Sequence, residues 1–184
     1  VGSVGTYAFS SCSAVKSCYI GASVTNLNES AKASGSTSIF SPDFRKFANL
    51  TVSDDNQVFS AHDGFVFSKD DTVIYGAFKD VIGEYTVPDS VVIIADDSFS
   101  GSKITALKFS EQTQINTIGI RAFGNCNELC RADIPAGLLH ISDNAFYYCS
   151  KLTDVILSDS VESLKIWVRR TIADGQITDK PFSK

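Results

Sequence analysis

Methionine is absent from this 184-residue chain, which opens on Val1. A chain without its own start is expected to be a processed or excised part of something longer, with any targeting signal outside it. No apolar run approaches the roughly 20 residues that a membrane-spanning helix needs, and no apolar signal region opens the chain. Positive charge is sparse: 16 Lys and Arg against 21 Asp and Glu give a net charge of −5. The basic residues are scattered, which argues against nucleic acid and against an anionic membrane surface as partners. Histidine occurs twice, as His62 and His140, and neither sits in a nucleophile or metal motif. Gly-x-Ser-x-Gly, phosphate-loop and dinucleotide patterns are missing as well. Neither catalysis nor a cofactor is expected.

The five cysteines lack zinc spacing, because Cys126 and Cys130 have no second pair or paired histidines nearby. The acidic pairs Asp54-Asp55, Asp70-Asp71 and Asp96-Asp97 lack the alternating ligands and central Gly of a calcium loop. They are expected to form turns and solvate the surface. No metal site is expected.

What is present is a repeat. Hydrophobic content of 43% and charged content of 20% suit a folded globular chain. Ile118-Gly119-Ile120-Arg121-Ala122-Phe123-Gly124-Asn125-Cys126-Asn127-Glu128-Leu129 lies above Ile141-Ser142-Asp143-Asn144-Ala145-Phe146-Tyr147-Tyr148-Cys149-Ser150-Lys151-Leu152 with an offset of 23 residues. Ile, Ala-Phe, Cys and Leu coincide, and the alternating pairs Ala132/Ile134 and Val155/Leu157 follow. A period in the twenties predicts a solenoid, whose coils bury their apolar faces only by stacking. Val4 to Ile20 carries the same pattern through Phe9, Cys12, Val15 and Cys18. A second unit starts at Val24-x-x-Leu27, is interrupted by the Ser, Ala and Gly-rich loop Asn28 to Ser38, and resumes at Phe40 with Phe44, Phe47, Leu50 and Val52. Phe44 stands where the other units have Cys, which points to packing rather than redox chemistry at that position. Buried free thiols are the favoured state, with a Cys126–Cys149 bridge as the alternative.

Residues 53–84 break the period. Asp54-Asp55-Asn56 and Asp63-Gly64 are turn chemistry. Phe65-Val66-Phe67 and Thr72-Val73-Ile74-Tyr75 flank Ser68-Lys69-Asp70-Asp71, which predicts an inserted β-hairpin lying as a flap on the solenoid. Val91-x-x-Ile94, Phe99, Ile104, Leu107 and Phe109 begin the regular coils again. The domain is expected over residues 1–164, with residues 165–184 as a cap, a linker or an end imposed by excision.

In each coil the strand pairs Cys18/Ile20, Leu50/Val52, Tyr85/Val87, Leu107/Phe109, Ala132/Ile134 and Val155/Leu157 would point inward, because strand side chains alternate. Stacked coils would gather these strands into one parallel sheet. The Ala-Phe pairs would form the opposite wall, in a tight helical, 3₁₀ or irregular turn. Between the inward pairs lies an outward row: Tyr19, Thr51, Thr86, Lys108, Asp133 and Ile156, flanked by Arg131 and Asp154. This row is the candidate partner-binding face. Asn28-Glu29-Ser30 and Asn49-Leu50-Thr51 match the glycan-acceptor pattern.

The run Ile-Gly-x-x-Ala-Phe-x-x-Cys-x-x-Leu-x-x-Ala/Val-x-Ile/Leu-Pro resembles the BspA-like, or Treponema pallidum type, leucine-rich repeats. The resemblance covers Val1 to about Leu164. It implies an α/β leucine-rich repeat solenoid with a parallel concave sheet and a short helical, 3₁₀ or irregular convex side. It also implies an extracellular or cell-surface, adhesin-like protein without catalytic activity. The expected partner is a protein or glycoprotein, with host and extracellular-matrix molecules among the candidates. A structural spacer or self-assembling extracellular filament subunit is the alternative.

Overall fold

The structure is a computed structural model that describes residues 2–4, 15–27, 49–157, 167–171 and 177–181. In chain order its strands are β1 (Ser17–Ile20), β2 (Asn49–Val52), β3 (Phe59–His62), β4 (Phe65–Ser68), β5 (Val73–Ala77), β6 (Ile82–Thr86), β7 (Ile93–Ile94), β8 (Lys103–Lys108), β9 (Thr117–Ile118), β10 (Arg131–Ile134), β11 (His140–Ile141), β12 (Asp154–Leu157), β13 (Trp167–Thr171) and β14 (Ile177–Pro181). No helix occurs among the described residues. Of the alternatives for the convex side, irregular turns are the ones adopted.

The coils have two walls. One is the expected parallel sheet, in the order β6-β8-β10-β12, with β1 and β2 as a separate parallel pair. The other runs β11-β9-β7-β5-β4-β3. In it, Ile141, Ile118, Ile94 and Ile74 pair coil to coil in parallel. These isoleucines open each repeat, so a second ladder arises where the sequence suggested only a coil entry.

Between the walls lies the core. Phe99 and Phe123 stack at 4.9 Å and Phe123 and Phe146 at 5.2 Å, all inside one buried cluster. The separation matches the roughly 4.8 Å between neighbouring strands, so one Phe per coil builds a continuous column. Each Phe sits between two left-handed corners. Asp97, Arg121 and Asn144 precede it by two residues with φ of 56°, 49° and 60°, and Gly101, Asn125 and Tyr148 follow it with φ of 73°, 57° and 56°. Such angles cost a non-glycine residue energy, and the repeat spends that strain on turning the chain back towards the sheet. Gly119 is fixed by space instead: a Cβ there would lie 2.5 Å from Asp96 Oδ1 and 2.6 Å from the Asp96 nitrogen.

The insertion differs from the expected flap. β4 and β5 do form the hairpin, but β3 joins them as a third strand, turned by Asp63-Gly64 with φ of 51° and 85°. All three are woven into the second wall, since β5 pairs in parallel with β7. Phe65, Val66 and Phe67 are 3%, 0% and 2% exposed. A strand buried on both faces is interior to a sheet, not laid over one.

After β12 the stack changes character. β13 and β14 form an antiparallel pair, with Trp167 opposite Pro181. Phe9, Cys12, Phe40, Phe44, Phe47, Val161 and Leu164, together with the loop Asn28 to Ser38, lie outside the described residues.

Candidate functional site

The outward row assembles in register, but on two sheets rather than one. Tyr19 lies beside Thr51 on β1 and β2. Thr86 lies beside Lys108, and Asp133 beside Ile156, on the four-stranded sheet. The flanking row there places Glu84 beside Ala106, Ala106 beside Arg131, and Arg131 beside Asp154. Glu84 belongs to this row and was not picked out by the sequence pattern, because its strand begins three residues earlier than the inward pair Tyr85/Val87 suggests.

The charges in the row are matched locally. Lys108 Nζ lies 2.6 Å from Glu84 Oε2 on the next strand, and Arg131 Nε lies 2.8 Å from Asp133 Oδ1. Both pairs are solvent-accessible, so their net stabilisation is small, about 0–1 kcal/mol each. Their effect is to fix an alternating pattern of charge on a rigid sheet. Exposed apolar groups flank them on β1, β6 and β12: Tyr19 is 68% exposed, Ile82 67% and Ile156 46%.

The break between β2 and β6 is the feature the sequence pattern missed. No Cα of β2 comes within 8 Å of a Cα of β6, so a gap interrupts the first wall. It holds a cavity of about 570 Å³ lined by residues that include Asn49, Thr51, Asp63, Ile82, Glu84 and Tyr85. Its origin is arithmetic. β2 leads into β3 and β5 leads into β6, while β4 stands between β3 and β5 in the second wall. One wall has gained a strand that the other lacks.

The remaining residues of interest resolve into structural roles. Cys126 and Cys149 are buried, unbridged thiols, and Cys18 and Cys130 are also free. Cys12 lies outside the described residues. Cys126 Sγ donates to the Phe99 carbonyl at 3.2 Å, and Cys149 Sγ donates to the Phe123 carbonyl at 3.0 Å. Each thus reaches back one coil. The neighbouring Cys126 thiol and burial push the Cys149 thiol well above the ordinary range, so it stays protonated and unreactive. Burial also raises the half-buried Cys18. Iodoacetamide at neutral pH should therefore label Cys130 in the folded protein and reach Cys126 and Cys149 only after unfolding. Mass spectrometry showing Cys149 labelled as fast as Cys130 would contradict this ladder.

His62 is held at both ring nitrogens, 3.1 Å from Asp63 Oδ2 and 3.0 Å from Asp71 Oδ1, and stacks on Phe67 at 4.3 Å. The hydrogen bond to Asp71, above all, raises its pKa. Ser60 Oγ donates to Asp71 rather than to the imidazole. The trio pins the tip of β3 and supplies no activated nucleophile. Among the acidic pairs, Asp70 accepts from Ser68 Oγ at 2.7 Å and Thr72 Oγ1 at 2.8 Å, and these bonds lower its pKa. Asp96 accepts from the Ile120 nitrogen at 2.7 Å, and Asp97 pairs with Arg121 at 3.0 Å. Both hold one coil to the next. His140 is exposed beside Thr117. Asn49 is exposed at the start of β2, on the rim of the gap, while Asn28 lies outside the described residues.

A family model described as the BspA type leucine rich repeat region matches residues 1–59 and 72–168 in six copies. The unmatched stretch between them contains β4, the strand that has no counterpart in the first wall. Among solved structures, the pneumococcal vaccine antigen PcpA is similar with 20% identity and a TM-score of 0.57, over 84% of this chain and 42% of that one. A leucine rich cell surface protein from Faecalibacterium prausnitzii A2-165 is similar with 20% identity and a TM-score of 0.59, over 88% of this chain and 46% of that one. The chain spans less than half the length of either. No curated protein matches the sequence.

Proposed function

The chain belongs to the BspA-type leucine-rich repeat family, and from that premise we propose that it is a protein-interaction module of a cell-surface or secreted, adhesin-like protein. It binds a protein or glycoprotein, with host and extracellular-matrix molecules as the candidate class, through the outward row of the first wall. The observation that carries this reading is variation over constancy. In the two most regular coils the buried Phe, Cys and Leu are the same, whereas register places Arg131 opposite Asp154 and Asp133 opposite Ile156. Stacking alone would not demand such differences on the outer face. Similarity to proteins described as a vaccine antigen and a cell surface protein supports a surface location. No helix among the described residues is long and apolar enough to cross a membrane. Families of this fold are typically non-catalytic, in keeping with a binding role.

The test is capture of extracellular proteins by the purified chain and by a variant carrying Tyr19→Ala, Lys108→Ala and Arg131→Ala. Exposed Tyr and Arg are frequent interface anchors, so the triple variant should lose about tenfold or more in affinity for any partner captured. The variant should melt with the parent, because all three side chains lie on the surface. Capture at full affinity by the variant would remove this face from consideration.

A further inference from the structure

The gap between β2 and β6 has the dimensions and chemistry of a missing strand. β3 and β5 both neighbour β4, so they stand about 10 Å apart, two strand spacings. β2 and β6, carried on the same coils, are held correspondingly apart, beyond 8 Å. One extended chain placed midway would be at hydrogen-bonding distance from both.

The two lips offer the groups such a chain would need. In a strand the backbone N–H and C=O of alternate residues point to opposite sides. The Val81 carbonyl and the Val87 nitrogen bond to β8, so the odd-numbered residues of β6 face β8, and Ile82, Glu84 and Thr86 turn their backbone groups into the gap. On the other lip, the Asn49 and Ser53 nitrogens bond to the β1 side, which leaves Leu50 and Val52 facing the gap. On the gap side, the backbone groups of these five residues pair with no other strand among the described residues. Unpaired edge groups are a template for strand addition.

We propose that the gap is a strand-insertion site for an extended segment of a partner protein, which completes the first wall by pairing with β2 on one side and β6 on the other. The site also sets the chemistry of the segment. Its floor is already filled by Leu50, Phe65, Phe78 and Tyr85, of which Phe65 is 3% and Phe78 5% exposed. Inward side chains must therefore be small. Asp63, Asp80 and Glu84 stand on the rim, each with one oxygen held, by His62, Lys103 and Lys108 respectively, and Ile82 projects beside them. Outward side chains are therefore apolar beside Ile82, or basic where they share the second oxygens of these carboxylates. A segment alternating serine or alanine with lysine or valine meets both conditions. This inference rests on the first wall being the partner surface, and it names how part of that surface binds.

The probe is a blocked octapeptide alternating serine with valine or lysine, titrated against the protein with amide exchange followed by NMR. The expected result is saturable binding that slows exchange at Leu50, Val52, Ile82, Glu84 and Thr86. The same peptide N-methylated at alternate residues, which removes half its donors, should bind at least about tenfold more weakly. Binding that ignores methylation, or that leaves those amides unprotected, overturns the proposal. So does protection of those amides in the free protein, because another part of the chain would then fill the gap. The variant carrying only Tyr19→Ala and Arg131→Ala keeps both lips and every ion pair of the rim, so it should take up the peptide with unchanged affinity. A protein that loses its partner in that variant yet never takes the peptide has an outward-row site without strand insertion. One that takes the peptide but keeps its partner in the variant has the reverse.

Discussion

Phe123→Ala should lower the stability of the protein by about 3–5 kcal/mol, read as a fall in the melting temperature of roughly 10 °C or more. Phe123 is fully buried and stacks on both sides, 4.9 Å from Phe99 and 5.2 Å from Phe146. Truncation removes a ring from the middle of a column and leaves a void that neither neighbour can close without leaving its own stack. Left-handed corners two residues before and after each Phe fix the backbone, so collapse into the void is resisted. Phe146→Ala should likewise destabilise, because Phe146 is 4% exposed and stacks on Phe123 at 5.2 Å. Thermal unfolding of the two variants beside the parent measures both. A Phe123→Ala protein that melts within the error of the parent would show that the column does not hold the coils together.

The second large loss is expected at Asn56. This side chain is 0% exposed and makes four hydrogen bonds. Its Nδ2 donates to the carbonyls of Gly21 at 2.8 Å and Val24 at 2.9 Å, one coil away. Its Oδ1 accepts from the nitrogens of Val58 and Phe59, each at 2.8 Å. Asn56→Ala removes the partner of the Val24 carbonyl and of the Val58 and Phe59 N–H groups, and leaves the Gly21 carbonyl only its bond from the Val24 nitrogen at 3.2 Å. Each unsatisfied group costs about 1–3 kcal/mol before any water enters, so a total of about 3 kcal/mol or more is expected. Asn56→Asp keeps the acceptor and turns the donor into a second acceptor facing two carbonyls, so it should not rescue. Denaturant unfolding of both variants decides the point. Full stability of Asn56→Asp would mean that the bonds to Gly21 and Val24 contribute nothing.

These two residues show what a sequence of this kind makes visible. Phe123 was legible because it recurs: Phe99, Phe123 and Phe146 hold one place in the period, and only stacking explains such spacing. The inward strand pairs and the register of the outward row followed from the same repetition. Asn56 was not legible, since Asp54-Asp55-Asn56 reads as an ordinary turn. The turn is real, with the Asn56 nitrogen bonded to the Ser53 carbonyl, but the two carbonyls to which the side chain donates lie 32 and 35 residues away. No local pattern reports them.

The gap was hidden for a related reason. Phe65-Val66-Phe67 announces a strand, yet whether a strand lies on a wall or within it depends on what covers its second face. Three consecutive apolar side chains were the available signal, because a flap would leave the middle one wet. Phe59–His62, with its mixed composition, offered no comparable cue. Without β3 the insertion counts as a two-stranded flap, and no mismatch between the walls can be inferred. The first wall therefore read as continuous. The outward residues do lie in register, but their division between two sheets could not be read.

The thiol bonds give the stack a direction. Each reaches from one coil to the phenylalanine carbonyl of the coil before it, so a coil completes its predecessor's bonding and leaves its own for its successor. The backbone bonds cross in both senses, Phe123 N donating forward to the Ala145 carbonyl and Cys130 N back to the Thr105 carbonyl, so the thiols alone are laid like overlapping tiles. Shortening from either end therefore frees backbone groups, while the Phe99 and Phe123 carbonyls keep a second donor in the Ser102 and Cys126 nitrogens. The two ends of such a protein are therefore not equivalent. The difference lies in the thiols: a shortened stack loses a Cys Sγ bond to a Phe carbonyl at its last coil and the acceptor of a Cys Sγ at its first.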